Sequence, residues 1–170
     1  MKIKYLILLS FLILSGNSFA QGWANMNFGI KEAEIRKILE AENVNISQET
    51  DTYENMKYYT KIGIKDFIIG GHNFHVQFLM NDKDELGKIL YSLQDPEDKL
   101  QTYTQLSKFF TDKIGKPDST LDKLGDPQDN IHFENTWRTP GSTITIAYWF
   151  YKTLNVEMVA LSYLPPNKID

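Results

Sequence analysis

The chain has 170 residues, 22 of them acidic and 18 basic, for a net charge of −4, and it contains no cysteine. The acidic balance argues against nucleic acid or an anionic membrane surface as the main partner. Without cysteine there is no disulfide staple and no thiol nucleophile, so the fold must rest on its apolar core.

The first twenty residues read as a secretory signal. Lys2 and Lys4 form a basic start, Tyr5 to Leu14 is almost wholly apolar, and Ser18-Phe19-Ala20 offers small residues where a signal peptidase reads. Cleavage is expected after Ala20. The segment is too short and too early for a retained span of ~20 apolar residues. The expected mature chain is a single α+β domain, residues 21–170, with 16 basic against 22 acidic residues and a net charge of −6. No cysteine stands at the cleavage point to take a lipid. The expected location is the periplasm or the exterior of a bacterium.

Phe28 to Leu39 then predicts a helix over 31–41, with Ala33, Ile35, Ile38 and Leu39 close to one face. Glu32 and Glu34 suit its positive N-terminal end, and Glu32 precedes Arg36 by four, the favourable order for an exposed pair. No Ser or Asp offers an N-cap; Phe28 can staple the first turn. Residues 42–55 are polar and read as a loop. Tyr58 to Ile69 predicts a strand with Tyr58, Thr60, Ile62 and Ile64 on one face and Phe67 and Ile69 on the other, the phase changing near Asp66. Gly70-Gly71 marks a turn. His72 to Met80 alternates, with Phe74, Val76, Phe78 and Met80 inward and Asn73, His75 and Gln77 outward. A charged turn over 81–87 leads to a third strand through Ile89, Tyr91 and Leu93.

Asp95-Pro96-Glu97-Asp98 opens a second helix, with Asp95 as cap and Pro96 at the first helical position. Its expected face is Leu100, Tyr103, Ser107, Phe110 and Ile114, broadened by Leu106 and Phe109; Gly115 and Pro117 end it. Asp118 to Asn130 reads as a polar linker. Three strands are expected after it: Ile131 to Arg138, a strand through Ile144, Ile146, Tyr148 and Phe150 beyond the Pro140-Gly141 turn, and Val156 to Tyr163, stopped by Pro165-Pro166. The predicted fold is α+β: two α-βββ units, an antiparallel sheet with both main helices packed on one face.

Three stretches carry a resemblance. Phe28-Gly29-Ile30 enters a short helix, Asn81 to Ile89 (NDKDELGKI) turns between strands, and Asp112 to Pro117 (DKIGKP) ends a helix. Over residues 28–163 this pattern resembles small exported domains of the beta-lactamase-inhibitor-protein-like fold and the related outer-membrane assembly lipoprotein domain. The resemblance implies a helix-plus-strands unit, sometimes in tandem, that binds other proteins by a concave sheet face. The chain departs from the lipoproteins in lacking a lipidated Cys, and from the inhibitor in lacking its paired Cys.

Catalytic signatures are missing from the sequence: no G-x-S-x-G, H-E-x-x-H, phosphate-binding loop or dinucleotide fingerprint occurs. No cofactor and no catalytic residue is nominated. His72 and His75 lie three apart on a strand and so point to opposite faces; His75 and His132 meet only if their strands are neighbours, and two ligands close no zinc shell. No metal site is nominated. Asp82 to Gly87 departs from a calcium loop at positions five and twelve, where Leu86 and Leu93 stand. The remaining candidate is the outward sheet face. His75 and Gln77, then His132, Glu134, Thr136 and Arg138, then Thr143, Thr145, Trp149 and Tyr151 can share it. Aromatic residues and Arg dominate interface hot spots. The nominated binding residues are therefore Trp149, Tyr151, Arg138, Glu134, His75 and His132, with Trp149 and Tyr151 as anchors. The expected function is an exported, non-catalytic module that binds another protein of the envelope or exterior, as an inhibitor or immunity protein for an envelope-acting toxin or enzyme does. An envelope-assembly or structural factor and a cell-wall or polysaccharide hydrolase stay open as alternatives.

Overall fold

A computed structural model describes residues 26–54, 57–94, 98–124 and 130–166. The expected signal and its cleavage point lie outside the described residues. Among the described residues the architecture is α+β: one nine-stranded sheet and two α-helices. In chain order these are α1 (Glu32–Ala41), β1 (Ser47–Gln48), β2 (Thr52–Tyr53), β3 (Tyr58–Ile69), β4 (His72–Met80), β5 (Leu86–Leu93), α2 (Lys99–Ile114), β6 (Ser119–Leu124), β7 (Ile131–Arg138), β8 (Thr143–Tyr151) and β9 (Val156–Leu164). The sheet runs β1-β3-β4-β5-β9-β8-β7-β6, with β2 also on β3, and every one of these pairings is antiparallel. The two meanders join through β5 and β9, Tyr91 lying opposite Leu161.

The strand count exceeds the expected six. Residues 119–124, within what reads as a linker, form β6 on the edge of β7. The polar 42–55 segment carries β1 and β2, two residues each, on the opposite edge. Both additions are short and polar, so hydrophobic periodicity gives them no signal.

The helix-facing side holds the core. Phe74, Val76 and Phe78 stand opposite Phe67, Ile64 and Ile62 on one side and Leu93, Tyr91 and Ile89 on the other. Ile144, Ile146 and Tyr148 continue the layer through Tyr163, Leu161 and Val159. Trp137 is buried beneath α2, its ring 5.8 Å from Phe110 and its Nε1–H donating to the Gly115 carbonyl at 2.9 Å. That bond satisfies a carbonyl at the end of α2, where the helix has no partner to offer. Tyr91 and Tyr163 are fully buried with rings 5.4 Å apart.

Several local expectations are corrected. Phe67 and Ile69 do not change face. An irregularity between Ile64 and Phe67, with Asp66 at φ 60°, absorbs the extra residue and returns Phe67 to the core, 6.1 Å from the Tyr91 ring. A second shift between Thr60 and Ile62 puts Thr60 opposite Leu79, on the outer face. The α2 stripe is Thr102, Tyr103, Leu106 and Phe110; Leu100 is exposed, as is Ala33 on α1. The N-cap of α2 is Asp98, whose side chain accepts the Gln101 N–H at 2.8 Å, whereas Asp95 and Pro96 lie outside the described residues. The Glu32–Arg36 pair forms at 2.8 Å. Gly70 and Gly71, both at positive φ, make the two-residue turn between Ile69 and His72.

Candidate functional site

The outer face divides into two halves. Over β3 and β4 it is covered by residues 47–54, the segment that holds β1 and β2. Glu49 reaches across β3 at Gly63, where an added Cβ would stand 2.4 Å from its Oε1. The carboxylate accepts from Ser47 Oγ at 2.6 Å and lies 3.1 Å from His75 Nε2. Burial alone pushes the Glu49 carboxyl up; the hydrogen bonds from Ser47 and His75 outweigh it and leave the group below its usual value. Further along, Tyr53 donates to Gln77 Oε1 at 2.8 Å and Gln77 donates to Asp51 at 3.3 Å, and Gln77 is buried. Lys88 of β5 donates to Glu54 at 2.9 Å. Burial raises the Glu54 carboxyl, while the bond and charge of Lys88 hold it lower overall.

The second half, over β5, β9, β8 and β7, has no such cover among the described residues. Its register places residues in rows. One row runs Glu134, Ala147, Ala160 and Ser92; the next runs Thr136, Thr145, Ser162 and Leu90. A third holds His132, Trp149 and Met158. Small side chains in the middle of the first two rows leave a hollow of about 200 Å³, floored by Ala147 and Ala160. Trp149 forms one wall and Thr145 with Ser162 the opposite one; Glu134 closes one end, Leu90 and Lys88 the other. The imidazole of His132 stacks on the indole of Trp149 at 5.1 Å and 20°. Glu134 accepts from Thr136 Oγ1 at 3.2 Å and lies 3.5 Å from His132 Nε2. Beyond Trp149, Tyr151 faces Val156, and Val156, Met158 and Leu154 are exposed. A polar-rimmed apolar strip of this kind is what a protein contact surface requires.

Of the six nominated residues, four come together: Trp149, His132, Glu134 and, one step along β8, Tyr151. Two do not. His75 on β4 lies four strand steps from His132, about 19 Å, so the two imidazoles do not meet; His75 is held under Glu49. Arg138 stands six residues from His132 along β7, about 20 Å, at the far end of the face. There its backbone N–H donates to Asp118 and its side chain is exposed, apart from the Trp149 cluster. Thr143 keeps the outward parity of Thr145 but is fully buried. Unforeseen were Lys88, Leu90, Ala160 and Ser162. Their outward parity is readable within each strand, but the β5–β9 pairing that unites them joins residues about seventy apart in sequence.

Among the described residues no group of three or more His, Asp or Glu is placed to hold a metal ion, and no helix is long and apolar enough to cross a membrane. Comparison with family models, with curated proteins and with solved structures gives no match. The reading of the site therefore rests on its own geometry.

Proposed function

We propose that the chain is an exported, non-catalytic protein-binding module of the periplasm or exterior, acting on another envelope or secreted protein as an inhibitor or immunity protein does. The observation that carries this is the uncovered half of the outer face: Trp149, Tyr151, Val156 and Met158 in one apolar strip beside a hollow rimmed by Glu134 and Lys88. Half-buried aromatics around a pocket are the usual anchors of protein recognition. We read the order α1 then β1–β5, and α2 then β6–β9, as two related helix-plus-meander units joined at β5 and β9. That reading keeps the likeness to the beta-lactamase-inhibitor-protein-like fold as an interpretation resting on residues 28–163. It also agrees with that group's use of a sheet face for binding. The hollow contributes one carboxylate, Glu134, where glycoside hydrolysis of the two-carboxylate kind needs a pair, and this favours binding over a hydrolase.

The test is capture of partners from envelope and secreted extracts on tagged mature chain, followed by affinity measurement with the double variant Trp149→Ala/Tyr151→Ala. The expected result is one stoichiometric protein whose affinity falls at least a hundredfold in the variant, the scale of two hot-spot truncations. Unchanged affinity in a folded variant would overturn the assignment of this face.

A further inference from the structure

We propose that the hollow between Trp149 and Glu134 is the anchor socket for a single arginine side chain presented by the protein partner. This rests on the protein-binding reading and names the chemistry of its central contact.

Three features of the hollow select that occupant. First, its charge is one-sided. Lys88 lines it, but its side chain is nearly buried and its ammonium is turned to Glu54 at 2.9 Å, a carboxylate that Lys57 also approaches at 3.4 Å, so Lys88 is engaged with the covering segment. The Glu134 carboxylate is held by a hydroxyl, Thr136 Oγ1, and its one ion-pair neighbour among the described residues is His132 at 3.5 Å. The chain is acidic overall, with 22 acidic and 18 basic residues. A cation is therefore the complementary group, and long-range attraction favours its approach.

Second, the space between the carboxylate and the far wall is apolar and narrow. Ala147 and Ala160 lie directly opposite each other as its floor. An alkyl stem fits along such a floor while its charged head reaches Glu134, the behaviour of long cationic side chains at partly buried surfaces. Third, one wall is an indole already stacked on His132. A planar guanidinium stacks on an aromatic face and bonds a carboxylate through two N–H groups at once; a lysine ammonium does neither as well. Glu134 at the end of the hollow disfavours an anionic occupant. Thr145 and Ser162, on the opposite wall, supply hydroxyl acceptors for the remaining guanidinium N–H groups.

The probe is N-acetyl-arginine amide, titrated into isotope-labelled mature chain and followed by amide and indole N–H resonances. Its neutral isostere, N-acetyl-citrulline amide, is titrated in parallel. The expected result is saturable shifts at the Trp149 indole, Ala147 and Ala160, with the citrulline compound about tenfold weaker and Glu134→Gln reducing the arginine compound to the citrulline level. Ala147→Leu, which fills the hollow from its floor, abolishes both sets of shifts. Equal shifts from the two compounds, no saturable shift at these residues, or binding unaffected by Glu134→Gln would each overturn the proposal. The outcome is separable from the broader reading: a captured partner that needs Trp149 and Tyr151 but tolerates Glu134→Gln leaves the binding face standing and removes the arginine socket.

Discussion

Substitution of Gly63 by alanine isolates the device that covers half the outer face. The new Cβ would lie 2.4 Å from Glu49 Oε1, 2.8 Å from Cδ and 2.9 Å from Cγ. The sheet backbone is fixed by β4 on the other side, so the Glu49 side chain must move. Moving it breaks its contacts with His75 at 3.1 Å and Ser47 at 2.6 Å. Hydrogen bonds to a charged group contribute about 1.5–3 kcal/mol each. Glu49 is mostly buried but its partners are partly exposed, so we take about 2 kcal/mol for the combined loss. Replacing glycine within a strand returns roughly 0.5–1 kcal/mol. The net expectation for Gly63→Ala is a loss of about 1–1.5 kcal/mol. In a Glu49→Ala background the three atoms nearest the new Cβ are gone, and the same substitution should stabilise by ~0.5–1 kcal/mol. Urea unfolding of the four proteins in this cycle reads the difference as a coupling of about 2 kcal/mol, within the usual range for contacting residues. With a slope of ~2 kcal/mol per molar, the single variant's midpoint falls by about 0.5–0.75 M. A Gly63→Ala effect of the same sign and size in both backgrounds would refute the account of Glu49 crossing the sheet at this glycine.

Other consequences follow from single contacts. Trp137→Phe removes the N–H that serves the Gly115 carbonyl and part of a fully buried ring; it should cost about 2 kcal/mol in chemical unfolding, more than the same change at Trp149. Asp98→Ala should cost about 1 kcal/mol through loss of the α2 cap, with Asp98→Asn close to wild type. The Glu49 and Glu54 carboxyls are both held below the ordinary glutamate range in the folded chain, by their bonds to Ser47 and His75 and to Lys88. A lowered folded value means their stabilisation is complete above pH 4.5 and is lost as pH falls through the folded value. Unfolding midpoints between pH 7 and pH 3 should therefore fall less steeply in Glu49→Gln than in the wild type; an identical pH slope would contradict the bonding described for that carboxylate.

Much of the fold is legible from periodicity. Phe74 to Met80 and Ile144 to Phe150 alternate because one sheet face is packed under helices, and both runs fall on the core side as that alternation requires. Periodicity fails where the backbone adds a residue. At Asp66 a left-handed residue keeps Phe67 with Ile64, so counting by twos assigns it to the wrong face. It also fails at β1, β2 and β6, whose polar residues are strand by pairing with a neighbour and not by burial. The same limit shapes the site. Trp149 and Tyr151 are readable as outward residues from their own strand. That His75 is covered by Glu49, and that Lys88 and Ser162 border the Trp149 hollow, depends on contacts between segments far apart in the chain, and no local pattern encodes those.

The most direct test of the central claim, that the uncovered half of the outer face meets the partner, is oxidative footprinting of the captured complex against the free chain. Met158 is 49% exposed and Leu100, on α2, is 43% exposed, so both report from comparable starting points. The account predicts strong protection of Met158, Trp149 and Tyr151 on binding, with Leu100 unchanged. Protection of Leu100 with Met158 and Trp149 still open to oxidation would place the contact on the helical side and contradict it.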